Sequence, residues 1–212
     1  MRIALFTLVV VAALLVLADF GLRHYEESRV ASSIKTSLHL PAKPDVSLHG
    51  FSFISELAHG RITSASIAAA SVRAGSVMFS DVHLMLHHLR FSIDQLLNGN
   101  LAAVHAAAGS GDASITAGTV NAFLHAHGAP FQVAFQGGRT IARLGPLAAS
   151  IDATMKIANG SLVLATGSSS LPQFSVPLPT IFHSLSYGAV RPGNGSLILN
   201  FRVLHPTLAL QP

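Results

Sequence analysis

The sequence predicts an α+β protein, in which helices cover one apolar face of a long antiparallel sheet. Three observations lead to this class. Three short turn signals are each flanked by segments with alternating apolar and polar residues. A segment near the start carries apolar residues at helical spacing, and residues 81–91 alternate with a period of two. Together they indicate mostly strands with a few helices.

The chain begins with an apolar segment. Residues 3–18 are uninterrupted by charge, and Asp19 follows them. At 1.5 Å per residue such a helix would be roughly 24 Å long, short of the ~30 Å hydrocarbon core. This length, the basic start and the small residue Ala18 predict a secretory signal peptide at 1–18, with an uncleaved membrane anchor as the alternative. Residues 19–212 are expected to form one domain that is exported from the cytoplasm.

Composition excludes several classes of protein. The chain has no cysteine, so thiolate metal sites and thiol catalysis are excluded and an exported domain must be stabilised by its core. The formal net charge is +4 without any basic block, and no nucleic-acid partner is expected. Ten arginines against three lysines suit contacts with anionic groups such as phosphate.

Residues 19–40 predict the main helix. Val30, Ile34 and Leu38 recur every four residues, and charged residues occupy the other faces. Pro41 and a second proline shortly after it are expected to end the helix.

The three hairpins are predicted at Gly137-Gly138, Asn159-Gly160 and Asn194-Gly195, which are two-residue turn signals. Pairing outward from each turn collects apolar residues on one face, because side chains alternate along a strand. In the first hairpin the opposite face carries glutamines and arginines. The predicted apolar faces comprise Phe131, Val133, Phe135, Ala142 and Leu144, then Met155, Ile157, Leu162 and Leu164, then Val190, Leu197, Leu199 and Phe201.

Three short helices are predicted between the strands. One follows Ser52, its expected N-cap, and includes Glu56 in its first turns. The others lie at 92–98, capped by Ser92, and at 116–127.

Neither a metal site nor a catalytic centre is indicated. The twelve histidines are scattered, and His83 and His87 on one strand would lie ~13 Å apart, too far to share a metal. No Gly-x-Ser-x-Gly elbow is present, and the nine acidic residues are dispersed. We therefore expect a protein that is not an enzyme and has no cofactor.

Several stretches, taken in order, carry a family resemblance. They are "DVSLHG", "FSFISELAHG", "RITSASIAAASVRAG", "SIDQLLNGN", "ASITAGTVNAFLHAHG" and "VPLPTIFHSLSYGAVRPGNGSLIL". With the leader and the amphipathic helix, they resemble the actinobacterial family of exported LmeA-like phospholipid-binding proteins over most of the chain. The family usually has proline where Ser52 stands.

The resemblance implies a tubular lipid-binding (TULIP-like) fold, a curved antiparallel sheet wrapped around a long helix with an apolar tunnel between. It also implies a phospholipid partner, with an inositol lipid as one candidate, at the membrane surface, in support of envelope glycolipid and mannan assembly. The alanine- and glycine-rich strands and the absence of tryptophan are consistent with such a tunnel, since small side chains leave room for acyl chains.

On this basis we predict a carrier or sensor of phospholipid, with Phe51 and Phe53 at the tunnel mouth. The alternatives are a scaffold that binds a protein partner through a sheet edge, and, less favoured, a hydrolase of lipids. A closed core plugged by these aromatics is the structural alternative. The predicted apolar contacts are Phe51, Phe53, Ile54, Leu57, Phe123, Leu124, Phe131 and Phe135, and the predicted headgroup contacts are Arg61, Arg139 and Arg143.

Overall fold

A computed structural model describes residues 19, 21–36, 39–50, 52–75, 77–98, 103–144, 149–166, 173–180 and 184–209. The predicted leader at 1–18 and Phe51 lie outside them. No helix among the described residues is both long and apolar enough to cross a membrane.

The chain divides into two compact units. Unit 1 comprises the described residues of Met1–Ile67, Met85–Ala108 and His205–Pro212, and unit 2 those of Ala68–Leu84 and Gly109–Leu204. Three of the described strands contribute residues to both units. The single lipid-binding domain predicted over 19–212 stays a prediction.

Thirteen strands and four helices are described. The helices are α1 at 21–36, α2 at Phe53–Ala58, α3 at Ile93–Leu97 and α4 at Ala117–Ala126. The strands are β1 Asp45–His49, β2 Arg61–Ala74, β3 Val77–Arg90, β4 Ala103–His105, β5 Ala108–Thr116, β6 Phe131–Gln136, β7 Arg139–Leu144, β8 Ala149–Ala158, β9 Ser161–Thr166, β10 Phe174–Pro177, β11 Leu185–Pro192, β12 Ser196–Leu204 and β13 Thr207–Ala209.

The sheets are mostly antiparallel, as predicted. In unit 1, β2 lies between β1 and β3, and β4 pairs with β3 and β13. In unit 2, β3, β5, β12 and β11 lie side by side, and β10, β9, β8, β7 and β6 form a second sheet in that order. The few short helices and the antiparallel strands confirm the mixed, strand-rich character inferred from the sequence.

The main helix is shorter than predicted. Helix α1 is described as far as Thr36, and His39 and Leu40 are not helical, whereas the prediction extended the helix to residue 40. The His39 N–H donates to the Thr36 carbonyl (3.3 Å) and the Leu40 N–H to the Lys35 carbonyl (2.9 Å), the pattern of a Schellman cap. His39 takes the left-handed conformation (φ 51°) that the cap requires, so the helix stops before Pro41.

The first two hairpins are confirmed in register. Gln136 pairs with Arg139 across Gly137-Gly138, and Ala158 pairs with Ser161 across Asn159-Gly160. All four turn residues have positive φ, as a type I′ turn requires. The predicted apolar faces are buried or packed against the core of unit 2.

The third hairpin has the predicted register but a different turn. Pro192 pairs with Leu197, and the Gly193 N–H donates to the Ser196 carbonyl at 2.7 Å. Gly195 has positive φ (82°), but Asn194 does not, so this turn is not of type I′.

Unit 2 has a packed apolar core between strands and α4. Asn121 of α4 fixes the edge strand β6, because its amide accepts from the Val133 N–H (2.7 Å) and donates to the Val133 carbonyl (2.9 Å). The buried core comprises Val77, Phe79, Ala113, Ile115, Val120, Leu124, Phe131, Val133, Phe135, Ala142, Met155, Leu162, Leu164, Val176, Leu178, Leu197 and Leu199.

Tyr187 gives the first testable prediction. Its hydroxyl donates to the Pro179 carbonyl at 2.7 Å, and burial raises the pKa of Tyr187 from 10.0 to about 12. Below pH 10 the phenol is neutral in both states, so its contribution to stability is complete. Between the two pKa values only the unfolded state ionises, so the free energy of unfolding should fall as pH rises. Urea unfolding of wild type and Tyr187→Phe from pH 9 to 12 measures this dependence. If burial does not shift the pKa of Tyr187, the free energy of unfolding should change with pH by the same slope in both proteins.

Candidate functional site

Unit 1 contains a cavity of about 80 Å³ with an almost wholly apolar lining. Helices α1 and α2 and strands β1, β2, β3, β4 and β13 all contribute to its wall. Of the described residues in that wall, Glu26 is the one that is charged. The lining residues are Glu26, Val30, Ile34, Val46, Leu48, Phe53, Leu57, Ile62, Ala65, Ile67, Leu86, Leu89, Phe91, Val104 and Leu208.

Each wall follows from local sequence periodicity. Val30 and Ile34 lie one turn apart on the apolar face predicted for α1. Val46 and Leu48 alternate with exposed or half-buried residues along β1.

Strand β3 departs from strict alternation at the cavity. Leu86 and Leu89 are both buried and line the same cavity, although they are three residues apart. A period of two would place them on opposite faces. His88 lies between them with φ 52°, a left-handed conformation that departs from regular strand geometry. The alternation of faces is therefore interrupted between the two leucines.

Polar side chains fix α1 on the backbone of β1. The Glu27 carboxylate accepts from the Leu48 N–H at 2.8 Å, and Arg23 donates to the carbonyls of Leu48 (3.4 Å) and Gly50 (3.2 Å). β1 is an edge strand, and these side chains satisfy backbone groups that a neighbouring strand would otherwise pair with. The apolar face of α1 is thereby fixed as a wall of the cavity.

Helix α2 is held at its N-terminus by two side chains. Ser52, the predicted N-cap, accepts from the Ser55 N–H at 3.4 Å. The Asp19 carboxylate accepts from the N–H groups of Phe53 (3.2 Å) and Ile54 (2.7 Å), two donors that have no partner within the helix. Phe53, which is 1% exposed, is thus positioned as part of the cavity wall.

At both glycines that flank α2, a larger residue would collide with neighbouring atoms. The Glu56 carboxylate accepts from the Thr63 N–H (3.3 Å) and from the Thr63 hydroxyl, and lies where a Cβ on Gly50 would be. Gly60 has φ +63°, and a Cβ there would approach the Phe91 carbonyl oxygen to 2.7 Å. Because glycine has no Cβ, the backbone can pass close to the Glu56 carboxylate at Gly50 and close to the Phe91 carbonyl at Gly60.

Substituting Gly60 should destabilise the chain through both effects. We expect Gly60→Ala to lower the free energy of unfolding by about 2–3 kcal/mol, from left-handed strain plus the contact with Phe91. Gly128→Ala is the matched control, because Gly128 also has positive φ (+72°) but open space around it. Urea unfolding of both variants measures the difference. Equal losses would show that the close approach at Gly60 carries no cost.

The structure separates the predicted apolar contacts into two groups. Phe53 and Leu57 line the unit 1 cavity, and Ile54 is 39% exposed on the same helix. Phe51 lies outside the described residues. The remaining four belong to unit 2, where three are buried in its packed core and one lies against it; they are Leu124, Phe131, Phe135 and Phe123. Their contact with lipid stays a prediction.

The predicted headgroup arginines are also separated. Arg61 belongs to unit 1 and lines a second pocket there, next to Arg90. Arg139 and Arg143 lie on the exposed face of β7 in unit 2, and Arg139 forms an ion pair with Asp152 at 2.9 Å. Only Arg61 adjoins the cavity, because Ile62 lines both it and the second pocket.

Sequence reasoning missed most of the cavity wall. Val30 and Ile34 were recognisable as the apolar face of a helix, and Leu86 as the apolar face of a strand, but not as lining residues. Arg90 immediately follows the leucine-rich part of β3, and no sequence pattern indicated it as a site residue. Within the described residues, no three metal-ligating side chains come together.

A cavity walled by apolar side chains can take an apolar ligand, or the apolar part of a larger one. A family model described as LmeA-like phospholipid-binding matches residues 17–202. The chain belongs to the LmeA-like phospholipid-binding family, which confirms the resemblance identified from the sequence. No curated protein and no solved structure matches it.

Proposed function

We propose that this protein binds a phospholipid by inserting part of an acyl chain into the unit 1 cavity. The observation that supports this proposal most strongly is the cavity lining: fourteen of its fifteen described residues are apolar, in a chain whose family is described as phospholipid-binding. An empty apolar void is costly, so hydrocarbon in this space stabilises the protein as well as the complex.

Binding energy should come mainly from the chain. Each CH₂ transferred from water into an apolar site contributes about 0.8 kcal/mol. The cavity of about 80 Å³ has room for a short stretch of hydrocarbon and not for a complete lipid. Selection among chains of different length should therefore be weak.

The finer role that we propose is a non-enzymatic carrier or sensor. It would act outside the cytoplasmic membrane, in the periplasm or cell envelope, on a phosphatidylinositol-type or other phospholipid, and support envelope glycolipid and mannan assembly. A TULIP-like sheet around a long helix is the architecture that we propose for the complete protein. The family description, which names binding and no reaction, supports the non-enzymatic role.

Native mass spectrometry of the protein purified from its own cell envelope tests the function. We expect a complex with one phospholipid, released as a discrete mass on activation. A lipid-free protein that also fails to take up phospholipid from vesicles would contradict the proposal and favour the envelope scaffold. Peptide mapping of the same sample tests export, since cleavage of the leader would leave Asp19 as the first residue.

A further inference from the structure

Unit 1 has a second pocket of about 280 Å³ beside the apolar cavity, and charged side chains contribute to its wall. Its wall carries two arginines and a histidine, and it shares Ile62 and Leu89 with the wall of the apolar cavity. The lining residues are Glu56, Arg61, Ile62, Thr63, His88, Leu89 and Arg90.

The two arginines are close neighbours across the β2–β3 hairpin. The Phe91 N–H donates to the Gly60 carbonyl at 3.0 Å. Arg61 and Arg90 are the next residues inward on the two strands, and they therefore lie opposite each other. Directly opposite residues have Cβ atoms about 5 Å apart, and like charges in such positions repel. An anion between the guanidinium groups would relieve this repulsion.

Among the described residues, no carboxylate lies within ion-pair distance of these arginines. In the part of the chain that the structure describes, neither Arg61 nor Arg90 forms an ion pair. Glu56 lines the same pocket, but its carboxylate is held by the hydroxyl and N–H of Thr63. The pocket therefore presents two exposed guanidinium groups whose hydrogen-bond donors are available to a ligand.

We propose that Arg61 and Arg90 together bind the phosphate of the lipid whose chain enters the apolar cavity. The planar guanidinium fork matches phosphate oxygens in pairs, which a lysine does not. The inference rests on the proposed function and adds the position of the headgroup. Arg90, which the sequence did not indicate, is then the second residue that binds the headgroup, and the group that the two arginines recognise is the anionic phosphodiester.

The test uses the full chain and two lipids with identical acyl chains. Capture from neutral carrier vesicles is measured for phosphatidylglycerol and for the diacylglycerol that lacks the phosphate. We expect R61Q/R90Q to capture phosphatidylglycerol at least tenfold more weakly and diacylglycerol as well as wild type. The matched control is R73Q/R202Q, which removes two exposed arginines from strands of unit 2. This control should capture both lipids as well as wild type does. That result would exclude a general effect of the lower net charge.

The outcomes separate the two proposals. Equal capture of both lipids by R61Q/R90Q and wild type overturns the headgroup site but leaves lipid binding intact. Failure of wild type to capture either lipid overturns both. Calorimetric titration with inorganic phosphate distinguishes the source of the anion. Phosphate binding that is lost in R61Q/R90Q, with lipid capture unchanged, would assign the pocket to a free anion and overturn the headgroup assignment.

Discussion

Replacing Ala65 with leucine is expected to weaken phospholipid capture at least tenfold without destabilising the protein. Ala65 is 3% exposed on β2, and its side chain lines the unit 1 cavity. Leucine adds three carbons that occupy space otherwise open to the ligand. Excluding three CH₂ groups of the lipid costs its binding about 2.4 kcal/mol at ~0.8 kcal/mol each, a factor of more than ten. Filling an apolar void in the ligand-free protein is neutral or stabilising.

Vesicle capture measures the expected loss of phospholipid binding by Ala65→Leu, and urea unfolding measures its stability. Ala113→Leu is the matched control, because Ala113 is 4% exposed in the packed core of unit 2. There the same added volume should cost about 1–3 kcal/mol of stability through overpacking. Ala65→Val provides a smaller step in the same direction. If Ala65→Leu keeps full capture, the acyl chain does not occupy this cavity; if it loses as much stability as Ala113→Leu, the cavity is not open space.

Replacing Phe135 with alanine should lower the free energy of unfolding by about 3–5 kcal/mol. Phe135 is 2% exposed on β6 and belongs to the buried apolar cluster that forms the core of unit 2. Domains of this size are typically stable by only ~5–15 kcal/mol, so the loss is a large share of the total. Urea unfolding of lipid-free protein measures it.

Gln132→Ala, an exposed position on the same strand, should change stability by less than about 0.5 kcal/mol. The comparison also tests the sequence-based prediction that Phe135 contacts lipid. A small stability loss for Phe135→Ala, together with weaker lipid capture, would mean that Phe135 lines a ligand site, and would contradict the packed core described for unit 2.

The hairpins were predictable because their determinants are local. Gly137-Gly138 fixes the turn, the turn fixes the register, and the period of two then decides which face Phe131 and Phe135 share. The caps at Ser52 and Ser92 were predictable for the same reason, since an N-cap acts within three residues. The third turn was predicted less well, because the strands also decide whether Asn194 takes positive φ.

The cavity was not predictable because periodicity does not distinguish a filled interior from a hollow one. Phe53 and Phe135 are both apolar residues that the sequence places on a buried face, yet one lines the cavity and the other belongs to the buried core of unit 2. The hydrogen bond from the Leu48 N–H to the Glu27 carboxylate joins residues that are distant in sequence. The same holds for Arg61 and Arg90, which become neighbours only through the hairpin.

Photo-crosslinking of the acyl chain identifies the residues that it contacts. A phospholipid with a diazirine in the middle of one chain is loaded into the full-length protein and irradiated, and the labelled peptides are mapped. We expect labels on the cavity wall of unit 1, at Phe53, Ile62, Leu86 or Leu89. Labels confined to the unit 2 hairpins around Phe131 and Phe135 would contradict this expectation.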